Sequence, residues 1–591
     1  MNRDLSKNIK GILSSFRVMH LMTFLLFFIF ITLILYAIKR GFDYTDEAFY
    51  LLNFSKNQEI GISASFFGIL LKSFDLSIFE LRIIRLLLTI TSPIALFIAI
   101  TKYKDNSNFL YKRHYFYFFF LMLFSSLLNF SYGPQTLSYN TISNNCTIIT
   151  MALFIIGIYS NSKVRYLLFT LAGITCYITF VGKFTAGFFC FNISLAFLIV
   201  FKSRTNKTAW LYLICFILGI VFTEEIIRHY SNYSMIRILN RLFLFSKLGK
   251  FSNGSYDSNS ILNRQLDILI VTLQMIVLTS ILLIPYKRLA LKTANVSSIT
   301  KRYLYFLFGF FLQVYLFGFS IKSLSFDFSL LGISYLNSNI YMGVYTYFFF
   351  IFTLVLYLHK INIFNLTKEK VFFGFLLYVS AFGILFGSDN YFLLNIILSA
   401  PILMSILYLL YDSIKPFEQK PMQYLLYFTF LIYCILAQSL YVLKPYGARC
   451  LLFQDQKSSF SKLNSILIDK ESENTLLETN EILLKSGFTT GDYIIGIDGG
   501  VLGKIYALGG LLPGAIIFSH KFPQPFLESL KKYGFDKEKK IFFILNQNSV
   551  NNQIIKDLSK LGIHFQNAKL IGEVKDDFYG ELNKIYMIGL Q

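Results

Sequence analysis

The sequence predicts an all-α polytopic membrane bundle of about thirteen transmembrane helices, followed by a small C-terminal α/β unit. Three observations lead there. The chain has 591 residues, a mean hydropathy of +0.56, 55% apolar residues and only 15% charged residues, where a soluble chain carries about 25% charge. Apolar runs close to the ~20 residues that cross ~30 Å of hydrocarbon recur as far as residue 443. Short polar loops separate them, without the period-two alternation of a barrel strand.

The elements follow in order. Basic residues open the chain, and an apolar run from Leu21 to Ile38 follows with no small-residue cleavage site after it, so it reads as a retained first span. The thirteen expected spans are 21–38, 83–101, 115–131, 142–160, 166–181, 184–201, 208–222, 266–286, 303–320, 341–358, 371–386, 391–411 and 422–443. With the N-terminus inside, every inside segment is basic, for example Lys112 and Arg113, Lys287 and Arg288, or Lys301 and Arg302. The outer loops 132–141 and 387–390 hold no Lys or Arg. This asymmetry sets a cytoplasmic N-terminus and an extracytoplasmic C-terminal segment. It also accounts for the net charge of +22. No basic block is interleaved with aromatics as in a strand-binding groove, so nucleic acid is not the expected partner.

Two outer loops are long. Residues 39–82 include "ISASFFGILLKSFDLSIFELRIIR", whose apolar residues fall at helical spacing and read as surface helices. Residues 223–265 open with "TEEIIRHY" and end in a polar run. Domain boundaries are expected at 1–443 for the transmembrane part and 444–591 for the outer part. In the latter, "GDYIIGID" and "KKIFFILN" read as buried strands, and "ENTLLETNEILLKSG" and "NNQIIKDLSKLG" as helices closed by Gly. Of the six cysteines only Cys450 lies in that part, and no CxxC occurs, which excludes a zinc ribbon or redox pair.

The chemistry-bearing candidate is "GFDYTDEAFYLLNF", residues 41–54, where Asp46 and Glu47 follow the first span. Such a pair is either a solvated helix start capped by Thr45 or Asp46, or a general base at the membrane–water boundary. This pair in the first outer loop resembles the signature of GT-C membrane glycosyltransferases, in the bacterial dolichyl-phosphate-mannose-protein mannosyltransferase-like and lipid A glycosyltransferase-like branch. Further segments are similar to that branch: "LSYNT" (Leu137–Thr141), "GKFT" (Gly182–Thr185, with Phe184 where the branch has proline), "FGSDN" (Phe386–Asn390) and "GDYIIGIDGGVLGKIYALGGLLPG" (Gly491–Gly514).

The resemblance implies a sugar donor on polyprenyl phosphate, a hydroxyl acceptor on lipid, glycan or protein, and a bacterial inner membrane. Asp46 takes the role of catalytic base, with Glu47 second in line or orienting it. The donor's tail stays in lipid while its phosphate reaches water, which places chemistry at the interface. The phosphate leaving group calls for positive charge. Lys183 leads as phosphate clamp or snorkels to the interface, Arg82 and Arg85 add charge or anchor the helix, and Lys72 is a fainter candidate. Tyr139, Asn140, Ser388, Asp389 and Asn390 line a sugar pocket or make turns. No cofactor is implied; a divalent metal, as some enzymes of this family carry, would fall to Glu224 or Glu225 with His229. "GGVLGKI" (Gly499–Ile505) lacks the first Gly and final Ser/Thr of a P-loop and reads as strand–turn glycine. A lipid-linked sugar transporter or flippase is the second reading. An O-antigen ligase or polymerase is the third. Against the second stand the absence of internal duplication and of mid-span ionisable residues.

Overall fold

A computed structural model of the chain describes residues 2–55, 74–104, 113–160, 163–200, 209–231, 366–383, 396–411, 420–443, 448–496, 501–512, 538–546, 567–576 and 581–588, with parts of 71, 235–236, 270–277, 343–358, 445, 536, 556 and 559. The helices are α1 (Asn2–Ile38), α2 (Asp46–Phe54), α3 (Ile78–Lys104), α4 (Arg113–Leu127), α5 (Tyr139–Ile158), α6 (Val164–Gly182), α7 (Phe184–Val200) and α8 (Ala209–Ser231). They continue with α9 (Thr346–Val355), α10 (Lys368–Gly383), α11 (Ala400–Tyr411), α12 (Lys420–Leu443), α13 (Lys470–Lys485) and α14 (Val501–Leu508).

By length and composition five helical stretches among the described residues can cross a membrane: Val18–Ile38, Ile78–Tyr103, Tyr139–Ile158, Val164–Gly182 and Ala209–His229. Five shorter apolar stretches accompany them: Tyr115–Ser131, Phe184–Val200, Thr346–Val355, Ile396–Tyr411 and Tyr427–Leu443. Two expected spans, 266–286 and 303–320, lie wholly or mostly outside the described residues. The expected span 391–411 is a short 3₁₀ turn, Ile396–Ser399, leading into the twelve-residue α11.

Two boundaries move for local reasons. The second span starts at Ile78, so "SIFELRIIR" belongs to it and is not a surface helix. Ser77 and Glu80 form a capping box there: Ser77 N–H donates to Glu80 Oε2 at 2.8 Å, and Glu80 N–H donates to Ser77 Oγ at 3.3 Å. The last long span runs on to Ser231, so Glu224, Glu225 and His229 sit on helix α8 and do not open a loop.

The bundle is held by aromatic packing and close backbone approach. Phe30 stacks on Phe124 at 4.9 Å, joining α1 to α4, and Tyr408 of α11 lies 4.5 Å from Phe118. Helices α6 and α8 touch through glycine: a Cβ on Gly173 would lie 2.0 Å from the Phe216 carbonyl, and one on Gly219 2.1 Å from that of Thr170. Small residues at a crossing permit this approach in lipid. Polar side chains join helices inside the bundle, with Ser92 bonded to Asn145 at 2.5 Å and Thr150 to Thr175 at 2.7 Å.

The C-terminal segment is α/β. A two-stranded antiparallel ribbon, β1 (Gln456–Lys457) with β2 (Leu467–Ile468), precedes α13. Strands β3 (Tyr493–Gly496), β4 (Ile541–Asn546), β5 (Lys569–Asp576) and β6 (Glu581–Ile588) form a sheet of order β3-β4-β6-β5. The β3–β4 pair is parallel and the other two pairs are antiparallel. Both strands expected from "GDYIIGID" and "KKIFFILN" are present, and residues 541–545 are buried throughout. "ENTLLETNEILLKSG" forms most of α13, capped by Asp469, which accepts from Ser472 N–H at 2.9 Å. Of "NNQIIKDLSKLG" only Lys556 and Ser559 are described, both helical. Of "GGVLGKI", residues 501–505 open helix α14, while Gly499 and Gly500 lie outside the described residues.

Candidate functional site: an acid-bearing loop locked between helices

Residues 38–47 link α1 to α2, and the rest of the molecule grips their backbone. Arg82 of α3 reaches underneath. Its Nη1 donates to Ile38 O at 2.8 Å and Arg40 O at 3.2 Å, and its Nη2 to Gly41 O at 2.7 Å. The C-terminal segment holds the other side: Leu467 N–H donates to Lys39 O at 2.8 Å, Gly41 N–H to Leu467 O at 2.9 Å, and Gly503 N–H to Tyr44 O at 3.0 Å. Gly503 is required at this contact, because a Cβ there would lie 2.2 Å from the Tyr44 ring. Phe42 and Tyr506 add an aromatic contact at 6.0 Å.

This mount separates three acids. Glu47 is fully buried and pairs with Arg82 through both oxygens, Nε to Oε1 at 2.9 Å and Nη2 to Oε2 at 2.7 Å. A fork-on-carboxylate pair out of water is geometrically exacting and costly to break. Asp46, the first residue of α2, is exposed. Asp43 is 3% exposed. Burial, then the neighbouring Asp46 and Glu47 carboxylates, push its carboxyl up to about 8, against the pull of the Thr45 hydroxyl and amide. The expectation that Thr45 or Asp46 caps α2 through its side chain is corrected here. Thr45 stands at the cap position without a side-chain cap bond, and Asp43 supplies the acceptors.

Arg82 and Arg85 are both engaged with oxygens of the protein itself. Arg82 is taken up by Glu47 and three carbonyls. Arg85, 1% exposed, donates to the carbonyls of Asn129 at 2.5 Å, Tyr132 at 3.2 Å and Pro134, and lies over the Phe130 ring at 4.5 Å. Both guanidiniums hold loops, because an arginine buried at the end of an apolar helix must satisfy its donors on whatever oxygens are near.

Among the other expected residues, Tyr139 meets α2. Tyr139 begins α5 behind the Ser138 cap, and its ring lies 6.1 Å from Tyr50 of α2. Asn140 follows it, half-buried. The Tyr139 carbonyl lies 3.6 Å from where a Gly182 Cβ would be, so the start of α5 meets the α6–α7 turn. That turn is one residue, Lys183, extended at φ −150 and 7% exposed. Glu224 accepts from Tyr177 Oη on α6 and from Met235 N–H at 2.9 Å, while Glu225 pairs with Arg228 at 2.6 Å on the exposed face of α8. The exposed His229 is one residue further on. Among the described residues no group of three His, Cys, Asp or Glu side chains could hold a metal ion. Lys72, Ser388, Asp389 and Asn390 lie outside the described residues.

Sequence reasoning missed Asp43. Its signal was present: Asp followed by Thr two residues on is an Asx-turn pattern, and Glu47 four residues on completes a reciprocal cap. The Glu47–Arg82 pair, 35 residues apart, had no local signal beyond the rule that buried charges pair.

No protein-family model, no curated protein and no solved structure matches this chain.

Proposed function

We propose that this chain is a membrane glycosyltransferase of GT-C type. It moves a sugar from a polyprenyl-phosphate donor to a hydroxyl of a lipid, glycan or protein on the outer face of the bacterial inner membrane. The full bundle in this reading has thirteen crossings, a cytoplasmic N-terminus and residues 444–591 outside. The observation that carries the proposal is the division of the acidic pair. Glu47 is buried and neutralised by Arg82, while Asp46 stands exposed on a backbone gripped from both sides.

A carboxylate on a rigid mount at the end of an apolar helix suits general-base work. In the proposed step Asp46 takes the proton of the acceptor hydroxyl. The acceptor oxygen bonds to the anomeric carbon, and the bond from that carbon to the phosphate oxygen breaks. The departing polyprenyl phosphate carries the electron pair as an anion, and Lys183, at the neighbouring one-residue turn, offers the compensating cation. Glu47 is the orienting partner in this scheme, since its carboxylate is already committed to Arg82.

The test uses the full chain in lipid nanodiscs with a panel of polyprenyl-phosphate-linked pentoses and hexoses. Release of polyprenyl phosphate that requires an acceptor, and that Asp46→Asn abolishes without lowering the amount of folded protein, supports the proposal. Movement of the intact lipid-linked sugar across the bilayer without turnover sinks it in favour of a transporter.

A further inference from the structure

Asp46 is exposed, yet the amides of the residues on either side of it are held by one buried carboxyl group. Asp43 Oδ1 accepts from the Thr45 N–H at 2.8 Å and from Thr45 Oγ1 at 2.6 Å. Asp43 Oδ2 accepts from the Glu47 N–H at 3.0 Å. Glu47 returns the bond, its Oε2 accepting from the Asp43 N–H at 3.2 Å. Ala48 N–H also donates to the Asp43 carbonyl at 3.1 Å.

We infer that Asp43 is the positioning residue of the acid-bearing loop: its two oxygens hold the amide N–H groups of Thr45 and Glu47, the residues before and after Asp46, and so set the direction in which the Asp46 carboxylate faces water. A single-oxygen cap such as Ser holds one helix-start amide. Holding residues 45 and 47 together takes two acceptors on one short stem, which Asp provides and Ser or Thr does not. The reciprocal Glu47 bond ties the same carboxyl to the Arg82 pair, so the direction of Asp46 is referred to α3 and not only to its own helix. The charged and titratable groups around Asp43 come from four elements besides its own loop. Asp46 and Glu47 belong to α2, and Arg82 of α3 acts through Glu47. Tyr441 of α12 is electrostatically coupled to Asp43, Glu47, Arg82 and Arg85, and Tyr506 of α14 to Glu47.

The catalytic part of this inference rests on the reading of Asp46 as base; the geometric part does not. The experiment has an arm for each, both on the full chain in nanodiscs. Hydrogen exchange of peptides covering residues 39–54 is compared between wild type, Asp43→Asn and Asp43→Ala. Faster exchange at 45–48 in Asp43→Ala, and an intermediate rate in Asp43→Asn, which keeps one acceptor, is the expected result. Turnover of the same donor panel is measured per folded molecule. A fall in kcat of about a hundredfold for Asp43→Ala and about tenfold for Asp43→Asn is expected, with donor KM within about twofold, as for loss of geometry felt in the transition state. Unchanged exchange in Asp43→Ala overturns the inference, and so does unchanged kcat beside faster exchange. If wild type shows no turnover that Asp46→Asn removes, the functional reading has failed, and exchange alone then decides whether Asp43 fixes the loop.

Discussion

Replacing Arg82 tests how the acid-bearing loop is held. Arg82→Gln keeps a polar side chain of moderate length but removes the fork. Five contacts go: two to Glu47 at 2.9 and 2.7 Å, and three to the carbonyls of Ile38, Arg40 and Gly41 at 2.8, 3.2 and 2.7 Å. The larger effect is on what remains. Both side chains of the pair are 1% exposed, so Glu47 is left as an uncompensated buried charge. Breaking such a pair from one side costs about 3–5 kcal/mol. Glu47→Gln is milder, roughly 2 kcal/mol, because Arg82 keeps its three carbonyls and a neutral acceptor. Arg82→Gln with Glu47→Gln leaves no stranded charge, so the double variant falls short of the summed single costs by about 2 kcal/mol. Unfolding is followed with a thiol-reactive dye, since Cys146, Cys176, Cys190 and Cys434 are buried and report loss of packing. An Arg82→Gln chain that unfolds with wild type, or single costs that simply add, would refute the reasoning.

Three further outcomes are expected. Gly503→Ala places a methyl 2.2 Å from the Tyr44 ring and 2.9 Å from its Cα, where backbone cannot yield; it costs about 1–3 kcal/mol and makes residues 444–591 more sensitive to protease. Asp43 binds its proton more tightly folded than unfolded, with a folded value of about 8 against an ordinary carboxylate. Its contribution to stability therefore falls as pH rises from about 4 to about 8 and is level beyond. The stability of wild type relative to Asp43→Asn, read by the same dye across that range, falls with it; a pH-independent difference contradicts the assignment. Lys183→Met lowers kcat/KM for the lipid-phosphate donor about tenfold, equal to ~1.4 kcal/mol, and Lys183→Arg restores part of it.

Much of the bundle was legible because apolar runs of membrane length are a strong, local signal. The α6–α7 break at Lys183 falls where the sequence puts it, whereas α5 already begins at Tyr139, inside the expected outer loop 132–141. Residues 78–82 were misread because a surface helix and the first turns of a span share the same apolar spacing; the Ser77–Glu80 capping box was the available discriminator. The β5–β6 hairpin escaped notice because its apolar positions are few, with charged Glu573, Lys575 and Lys584 alternating with buried Val574 and Ile585. In the candidate site the sequence marked the acidic pair but not the split between its members. That split depends on Arg82 arriving from another helix and on Leu467 and Gly503 arriving from the far end of the chain. Composition cannot report contacts between residues so distant. The partners of Arg82 and Arg85 were illegible for the same reason: a positive charge at a helix end reads alike whether it meets a ligand or a carbonyl.

The account rests on a loop that presents Asp46 to the outside while withholding Asp43. Asp46→Cys and Asp43→Cys, each in a chain whose six cysteines are replaced, are labelled on intact cells with a membrane-impermeant maleimide. Rapid labelling of Asp46→Cys from outside, with Asp43→Cys protected until the protein is unfolded, is the expected result. Labelling of Asp46→Cys only after the membrane is opened, or equal labelling at both positions, would contradict it.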